Sequence, residues 1–156
     1  MKTRTASAEL RYRALLQLLR TADTLWNTSR LFFARWNLGP SQFNILNLLV
    51  DRPAGYSQIE LGRLLIMHRS NVTGLVERLQ RRGLVSRRKV TGDRRAYRVV
   101  LTPTGSRIMA KILPEYFRMA EEIWGRFPAA RASRLAATLE HLAARAEQAL
   151  QPQTHA

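Results

Sequence analysis

The stretch TGDRRAYRVVLTPTG, residues 91–105, contains a turn, a basic strand and a helix start in direct succession. Thr91-Gly92-Asp93 favours a tight turn, and the segment LVSRRKV at 84–90 precedes it. After the turn, apolar residues alternate with others at the period of a strand, at Tyr97, Val99 and Leu101. Thr102-Pro103 is typical of a helix N-cap followed by proline at the first helical position. The stretch therefore predicts a two-stranded hairpin with a basic tip that leads directly into a helix.

Two helices are predicted upstream of this hairpin. Ser57 and Glu60 have the spacing of a capping box, which predicts a short helix that begins after Ser57. After a turn near Ile66–His68, the segment Arg69–Arg82 carries an apolar stripe at helical spacing, consisting of Val72, Leu75, Val76 and Leu79. Gly83 is suited to end this second helix. A short helix, a tight turn and a second helix with a polar outer face together indicate a helix-turn-helix.

The flanking segments predict further long helices. Residues 8–36 have two rows of apolar side chains at helical spacing, ended by Leu38-Gly39-Pro40, and Ser41 is the expected N-cap of the next helix. Helices are also expected at about 103–127, with a kink at Pro114, and at about 128–150. The last helix is rich in alanine around a narrow leucine stripe, a pattern that fits close packing against another helix.

The positive charge is concentrated in the predicted helix-turn-helix and hairpin. The chain has 156 residues and a net charge of +15, and the segment 69–98 holds ten Lys/Arg against two acids, a net of +8. Such a concentration points to a polyanionic partner, most often nucleic acid. Arginines at a hairpin tip can follow the DNA backbone or enter a narrow minor groove. Asp93 can orient a neighbouring guanidinium by a charge-assisted hydrogen bond.

The sequence resembles the MarR family of winged-helix transcriptional regulators. The wing signature of that family, D-x-R-S-x-x-V-x-L-T, is matched by Asp93, Arg95, Val99, Leu101 and Thr102, with Ala96 in place of serine. The resemblance also covers QIELGRLL at 58–65 and SNVTGLVERLQRRGLVSR at 70–87, and extends from about residue 8 to residue 150.

This resemblance implies a mainly α (α+β) fold: a winged helix-turn-helix with a two-stranded wing and long N- and C-terminal dimerisation helices. We expect a single unit over 1–156, in which 38–102 form the DNA-binding lobe. In that arrangement 8–37 and 103–150 supply the dimerisation helices, and 151–156 form a disordered tail. The implied assembly is a homodimer that binds a pseudo-palindromic operator in double-stranded DNA. It would act as a transcriptional repressor that is released from the operator by a small aromatic or phenolic ligand.

Carried over by position, the resemblance places a set of residues on DNA. Those expected to read the major groove are Arg69, Ser70, Asn71 and Thr73, and Arg78 on the same helix is a further DNA-binding candidate. Arg95 is expected to enter the minor groove, with Asp93 supporting it and Arg94 on a phosphate. Three positions depart from the family pattern, namely Ile66 and His68 in the turn and Gly74 on the outer helix face.

The resemblance also implies a pocket for an aromatic or phenolic acid between the dimerisation helices and the lobe. Residues of suitable chemistry are Trp26, Arg30, Phe33, Phe43 and Tyr116, although aromatic side chains at helical spacing are more often core residues. The three histidines are scattered, the chain has no cysteine, and no catalytic motif is present, so no metal, cofactor or enzyme activity is expected.

The remaining alternative is a basic architectural protein that coats DNA with little sequence preference and without a ligand. In either case a cytoplasmic protein without membrane association is expected, since no apolar run approaches the roughly 18 to 20 residues of a membrane span.

Overall fold

The computed structural model describes residues 5–65, 69–90 and 93–150, without the side chains of residues 69, 70, 90, 93–96 and 150. The predicted turn at 66–68, the hairpin tip at 91–92 and the predicted tail at 151–156 lie outside the described residues. The chain forms two compact units, Met1–Ile112 and Leu113–Ala156. The division into a DNA-binding lobe and dimerisation helices remains a prediction.

The elements confirm the predicted mainly helical fold with a two-stranded antiparallel sheet. In chain order they are α1 (Ala6–Ala34), α2 (Pro40–Val50), α3 (Gln58–Leu64), α4 (Arg69–Arg81), β1 (Val85–Val90), β2 (Asp93–Leu101), α5 (Pro103–Trp124) and α6 (Ala129–Leu150). Pro114 lies inside α5, which ends three residues before the predicted boundary. We call the β1–β2 hairpin the wing.

The core of the first unit is built from apolar residues of α2, α3, α4, the wing and the first half of α5, together with Phe33 of α1. On α4, Val72, Val76 and Leu79 have no exposed surface, as the apolar stripe predicted, whereas Leu75 is half-buried. Other buried members are Phe43, Ile45, Leu46, Leu49, Leu61, Leu84, Val85, Val99, Val100, Met109 and Ile112. Because one face of α4 is fully packed, its opposite face has a fixed orientation toward solvent.

A glycine cap ends α4 and starts the wing. Gly83 has φ 66°, and its N–H donates to the carbonyl of Gln80 at 2.9 Å. The N–H of Leu84 donates to the carbonyl of Leu79 at 3.0 Å. These two bonds form a Schellman motif, which satisfies carbonyls at the end of α4 and directs the chain into β1. The predicted helix stop at Gly83 is confirmed.

The wing is an antiparallel hairpin whose base is joined to the α2–α3 connection. Its register runs from Val85 opposite Leu101 to Lys89 opposite Tyr97, with an irregularity between Lys89 and Val90. Tyr56 forms an additional bridge with Val99, through N–H to carbonyl bonds of 3.1 and 2.7 Å. At the base of the wing, β2 therefore has backbone hydrogen bonds on both of its edges.

Local capping sets the starts of the helices around the core. The predicted capping box is confirmed, because the Ser57 N–H donates to Glu60 Oε2 at 2.7 Å and the Glu60 N–H donates to Ser57 Oγ at 3.2 Å. The predicted cap of α5 is also confirmed, since the Gly105 N–H donates to Thr102 Oγ1 at 3.0 Å.

The expected N-cap at Ser41 is wrong, because α2 begins one residue before it, at Pro40. The N–H of the preceding Gly39 donates to Gln42 Oε1 at 3.0 Å. Proline is well suited to the first helical position because no N–H is needed there and its φ is already helical. That preference, together with the bond from Gly39, starts the helix before Ser41.

The long helix α1 carries many apolar side chains that are exposed. Its buried residue is Phe33. Large apolar side chains of α1 are exposed along its length, namely Leu10, Tyr12, Leu15, Leu19, Leu25, Trp26 and Leu31. In the second unit, α6 exposes Leu135 and Leu142. Among the described residues, no helix is both long and apolar enough to cross a membrane.

Candidate nucleic-acid interface

The outer face of α4 presents a polar stripe that runs along the helix. Asn71 and Arg78 are both exposed and are separated by seven residues, so they lie on the same face two turns apart. Gly74 lies between them, and a Cβ at this position would come no closer than 3.6 Å to Arg78 Nη1. The guanidinium of Arg78 thus extends along the stripe over the space left by Gly74. Arg69 and Ser70 lie in the first turn of α4, and their side chains are outside the described part of the chain.

Thr73 connects α4 to α3. Its hydroxyl donates to Gln58 Oε1 at 2.9 Å, and the residue is half-buried. A hydroxyl oxygen still has acceptor capacity when its hydrogen is used in this way. The arrangement fixes the relative position of the two helices of the helix-turn-helix, so we expect Thr73 to contribute to helix placement as well as to DNA contact.

The wing carries basic residues on both strands. Three predicted site residues, Asp93, Arg94 and Arg95, lie at the end of β2 that is nearest the tip. Their side chains fall outside the described part of the chain. On β1, three consecutive basic residues are exposed, Arg87, Arg88 and Lys89. These three residues belong to the basic segment 69–98 but were not among the predicted site residues. Exposure and position make them additional candidates for phosphate contacts.

Two basic residues of the wing also have intramolecular partners, namely Arg98 and the phosphate candidate Arg87. Arg98 Nε donates to the carbonyls of Ala54 and Gly55 at 3.1 and 3.2 Å, and its Nη2 lies 3.4 Å from Glu60 Oε1. Arg87 Nη2 lies 3.8 Å from Glu77 Oε1. Arg98 therefore connects β2 to the α2–α3 connection and to the start of α3. These contacts help to orient the wing next to the helix-turn-helix.

The carboxylate of Glu60 is stabilised in its charged form. The hydrogen bond from the Ser57 backbone is the largest cause that lowers the pKa of Glu60, and the Ser57 side chain lowers it further. The nearby charges of Arg98 and Arg52 act in the same direction. Because the pKa is lower in the folded state, ionised Glu60 stabilises the fold above its ordinary pKa, and this contribution is lost as the pH falls through the lowered value.

We expect Glu60→Gln to lower the thermal midpoint at pH 7, because the neutral amide loses the charge interaction with Arg98 and weakens the capping box. The difference from the wild type should be largest above the ordinary pKa of a glutamate and should shrink as the pH falls through the lowered pKa of Glu60, where the wild-type carboxylate also becomes protonated. Thermal denaturation followed by circular dichroism between pH 3 and pH 8 measures this difference. A midpoint difference that stays constant across that range would contradict the assigned role of the charge.

The predicted ligand residues are found in different environments. Phe33 and Phe43 are almost fully buried and stack on each other, with ring centroids 4.2 Å apart and an interplanar angle of 23°. Trp26 and Arg30 are exposed on α1. Tyr116 is half-buried in the second compact unit. Phe33 and Phe43 thus act as core residues of the first unit, and a ligand role for the set remains a prediction.

Within the described ranges, no three His, Cys, Asp or Glu side chains lie close enough together to hold a metal ion.

These features define a winged helix-turn-helix protein with a basic wing next to an exposed polar helix face. A model of the MarR family matches residues 36–96. The HTH-type transcriptional repressor YetL from Bacillus subtilis (strain 168) is 36% identical over 87 residues, which are 55% of this chain and 52% of YetL. The transcriptional regulator HosA from Escherichia coli O157:H7 is 30% identical over 101 residues, which are 62% of this chain and 74% of HosA.

The fold agrees with these sequence matches. The crystal structure of CouR from Rhodococcus jostii RHA1 bound to p-coumaroyl-CoA aligns with a TM-score of 0.72 at 18% identity, covering 90% of this chain and 93% of CouR. The chain belongs to the MarR family of transcriptional regulators. The aligned segment spans about half the length of YetL.

Proposed function

We propose that this protein is a transcriptional repressor that binds a specific DNA operator as a homodimer and is released from it by a small aromatic or phenolic ligand. In this proposal α4 enters the major groove and the wing tip enters the adjacent minor groove. Membership of a family of transcriptional regulators, and the similarity to the repressor YetL, support the regulatory role. The protein would act in the cytoplasm, where its DNA is.

The observation that carries the proposal is the two-sided character of α4. Val72, Val76 and Leu79 are fully buried on one side, while Asn71 and Arg78 are exposed on the other. A helix fixed in this way presents its polar side chains without further ordering, which suits the reading of base edges by short amide and hydroxyl groups. The side chains proposed for base contacts are Arg69, Ser70, Asn71 and Thr73.

The homodimer is proposed because one face of α1 carries a row of apolar side chains that the described part of the chain leaves exposed. Leu15, Leu19 and Trp26 lie on one face of the helix, at intervals of four and seven residues, and are 54%, 59% and 47% exposed. Monomeric proteins rarely expose large continuous apolar patches, so a second copy that supplies equivalent helices is the expected cover. Dimerisation would also place two copies of α4 on successive major grooves of an inverted repeat.

The ligand part of the proposal rests on chemistry and on CouR, whose structure contains p-coumaroyl-CoA. The exposed pair Trp26 and Arg30 offers an aromatic surface and a cation one helical turn apart on α1, suited to an aromatic carboxylate. An aromatic acid that raises the operator Kd of the wild type, and raises it less in Arg30→Ala, would support this part.

Base reading by α4 leads to a prediction for Asn71→Ala. The variant should lose about tenfold or more in affinity for the operator and change its preference among single-base operator variants, because an amide bidentate to adenine discriminates by about 1–3 kcal/mol. Affinity for a scrambled duplex should change little. Fluorescence anisotropy with both duplexes measures the two losses, and equal losses on both would reduce Asn71 to a backbone contact.

The second candidate function is that of an architectural protein that coats DNA with little sequence preference. The observation that favours it is the net charge of +15. Phosphate contacts dominate affinity in both cases, so sequence specificity separates them. A regulator should prefer its operator over random DNA by a factor of about 10³ or more at physiological salt.

A further inference from the structure

An open cleft of about 350 Å³ lies at the C-terminal end of α4, and its lining has one sign of charge. It is lined by Arg78, Arg81, Arg82, Asn37 and Gln42. None of these five residues is acidic, so the three guanidinium groups are accompanied by side-chain amides alone. A concave surface of this composition favours an anion that accepts several hydrogen bonds.

Arg82, one of the three arginines of the cleft, is held in place by hydrogen bonds to backbone carbonyls. Arg82 donates to the carbonyl of Asn37, and its Nη2 donates to the carbonyl of Trp36 at 3.0 Å. This side chain ties the end of α4 to the turn that follows α1, and Asn37 completes that turn with φ 53°. Arg82 is therefore a positioning residue: it forms the wall of the cleft and adds its charge.

The side chains of Arg78, Arg81 and Gln42 retain hydrogen-bond donors that could bind a ligand. Within the part of the chain that the structure describes, neither Arg78 nor Arg81 has a hydrogen-bond or ion-pair partner, and Arg81 is exposed. Gln42 uses Oε1 to accept the bond from Gly39, which leaves the two hydrogens of its amide nitrogen for a ligand. The cleft thus combines two guanidinium groups and an oriented amide.

The position of the cleft on α4 indicates which anion it would take. Asn71, Gly74, Arg78 and Arg81 follow one another at intervals of three or four residues, so the stripe proposed for base reading leads into the cleft. Ten residues separate Asn71 from Arg81, which corresponds to about 15 Å along the helix. The major groove is about 12 Å wide. A helix whose first turns contact bases therefore reaches the sugar-phosphate backbone at its far end.

We infer that this cleft is a phosphodiester-binding site, in which Arg78, Arg81 and the Gln42 amide hold one backbone phosphate of the operator beside the groove that α4 reads. The inference rests on the proposed DNA-binding function and extends it to residues of the α1–α2 turn and the start of α2. The contact carries no sequence information and fixes the register of α4 in the groove. Because Arg82 bonds the turn that follows α1, the cleft is directly connected to the proposed dimerisation helix.

The test uses Arg81→Ala and Gln42→Ala in the full chain, with Arg131→Ala as the matched control. Arg131 is an exposed arginine of α6, so its replacement removes the same charge from the chain. Affinity is measured by fluorescence anisotropy for operator and scrambled duplexes from about 50 to 300 mM salt. The slope of log K against log salt is negative, and each lost phosphate contact reduces its magnitude by about 0.9. Arg81→Ala should therefore reduce the magnitude by about 2 in a dimer, which loses two contacts.

At about 150 mM salt, Arg81→Ala should lose about tenfold in affinity on both duplexes, and Gln42→Ala should lose affinity with a smaller change in slope. A slope for Arg81→Ala equal to that of Arg131→Ala would overturn the inference. The slope can be read on the scrambled duplex even if the wild type shows no operator preference. Failure of the proposed regulatory function is therefore distinguishable from failure of the cleft.

Nuclear magnetic resonance of the side-chain amides identifies the source of the phosphate. In ¹⁵N-labelled wild type, adding duplex should shift the Gln42 amide signals, and the shift should be absent in Arg81→Ala. Inorganic phosphate at matched ionic strength should produce at most a weak shift. Signals that respond to inorganic phosphate and not to duplex would assign the cleft to a free anion and overturn the inference, as would signals that respond to neither.

Discussion

Replacing Gly105 with alanine is expected to destabilise the fold by about 3 kcal/mol, the upper end of what overpacking usually costs. A Cβ at this position would lie 2.1 Å from the carbonyl oxygen of Leu84 and 2.9 Å from Cδ2 of Leu101. The Leu84 oxygen is fixed, because it accepts the N–H of Thr102 at 3.1 Å. The methyl group can be accommodated only by moving the start of α5 away from the wing base, which would also disturb the Thr102 cap.

Thermal denaturation of Gly105→Ala at a fixed protein concentration tests this expectation, with Gly74→Ala as the control. At about 2–4 °C per kcal/mol for a chain of this size, the midpoint should fall by about 6–12 °C. A Cβ at Gly74 meets nothing closer than 3.6 Å, so that variant should gain up to about 1 kcal/mol from improved helix propensity. A Gly105→Ala midpoint within about 2 °C of the wild type would show that α5 does not approach Leu84 as described.

Arg95→Ala is expected to weaken operator binding by about 100-fold while the thermal midpoint stays unchanged. The expectation follows from the proposed insertion of Arg95 into the minor groove, where a narrow groove has enhanced negative potential. A specific arginine contact contributes about 1–3 kcal/mol, and a dimer would lose it twice. Anisotropy titrations with the operator duplex measure the loss, and circular dichroism checks the fold.

The matched control for Arg95 is Arg88→Ala on the neighbouring strand of the wing. Arg88 is exposed and carries the same charge, and it lies opposite Arg98 in the hairpin register. A loss of a few-fold, equal on operator and scrambled duplexes, is expected for Arg88→Ala, as for a backbone contact. Equal losses for the two variants would remove the special role of Arg95 and leave the wing as a general basic surface.

The parts of the fold that the sequence predicts well depend on local hydrogen bonds with a fixed spacing. Ser57 with Glu60, Thr102 with Pro103, and Gly83 each act within a few residues of the helix end that they define. The buried stripe of α4 was predictable for a similar reason, because helical periodicity determines which side chains share a face. The wing signature added the family and, through it, the winged helix-turn-helix fold.

The parts that could not be predicted depend on contacts between residues far apart in the sequence. Arg82 and Arg98 have the same residue type as the DNA-binding candidates, yet Arg82 contacts carbonyls 45 and 46 residues away, and Arg98 contacts carbonyls 44 and 43 residues away. Their structural roles appear only when the turns after α1 and α2 are in place. The steric need for Gly105 is similar, since it arises from the Leu84 carbonyl and not from its neighbours in the helix.

The central claim is that the protein selects one DNA sequence, and a tiled binding titration tests it most directly. Fluorescence anisotropy at about 150 mM salt would compare duplexes that tile the DNA upstream of its own gene with scrambled duplexes of equal length. We predict that one tile containing an inverted repeat, with half-site centres about 10 base pairs apart, binds with nanomolar affinity, about 10³-fold tighter than the scrambled duplexes. Uniform weak binding to every tile would contradict the account and favour a protein that coats DNA.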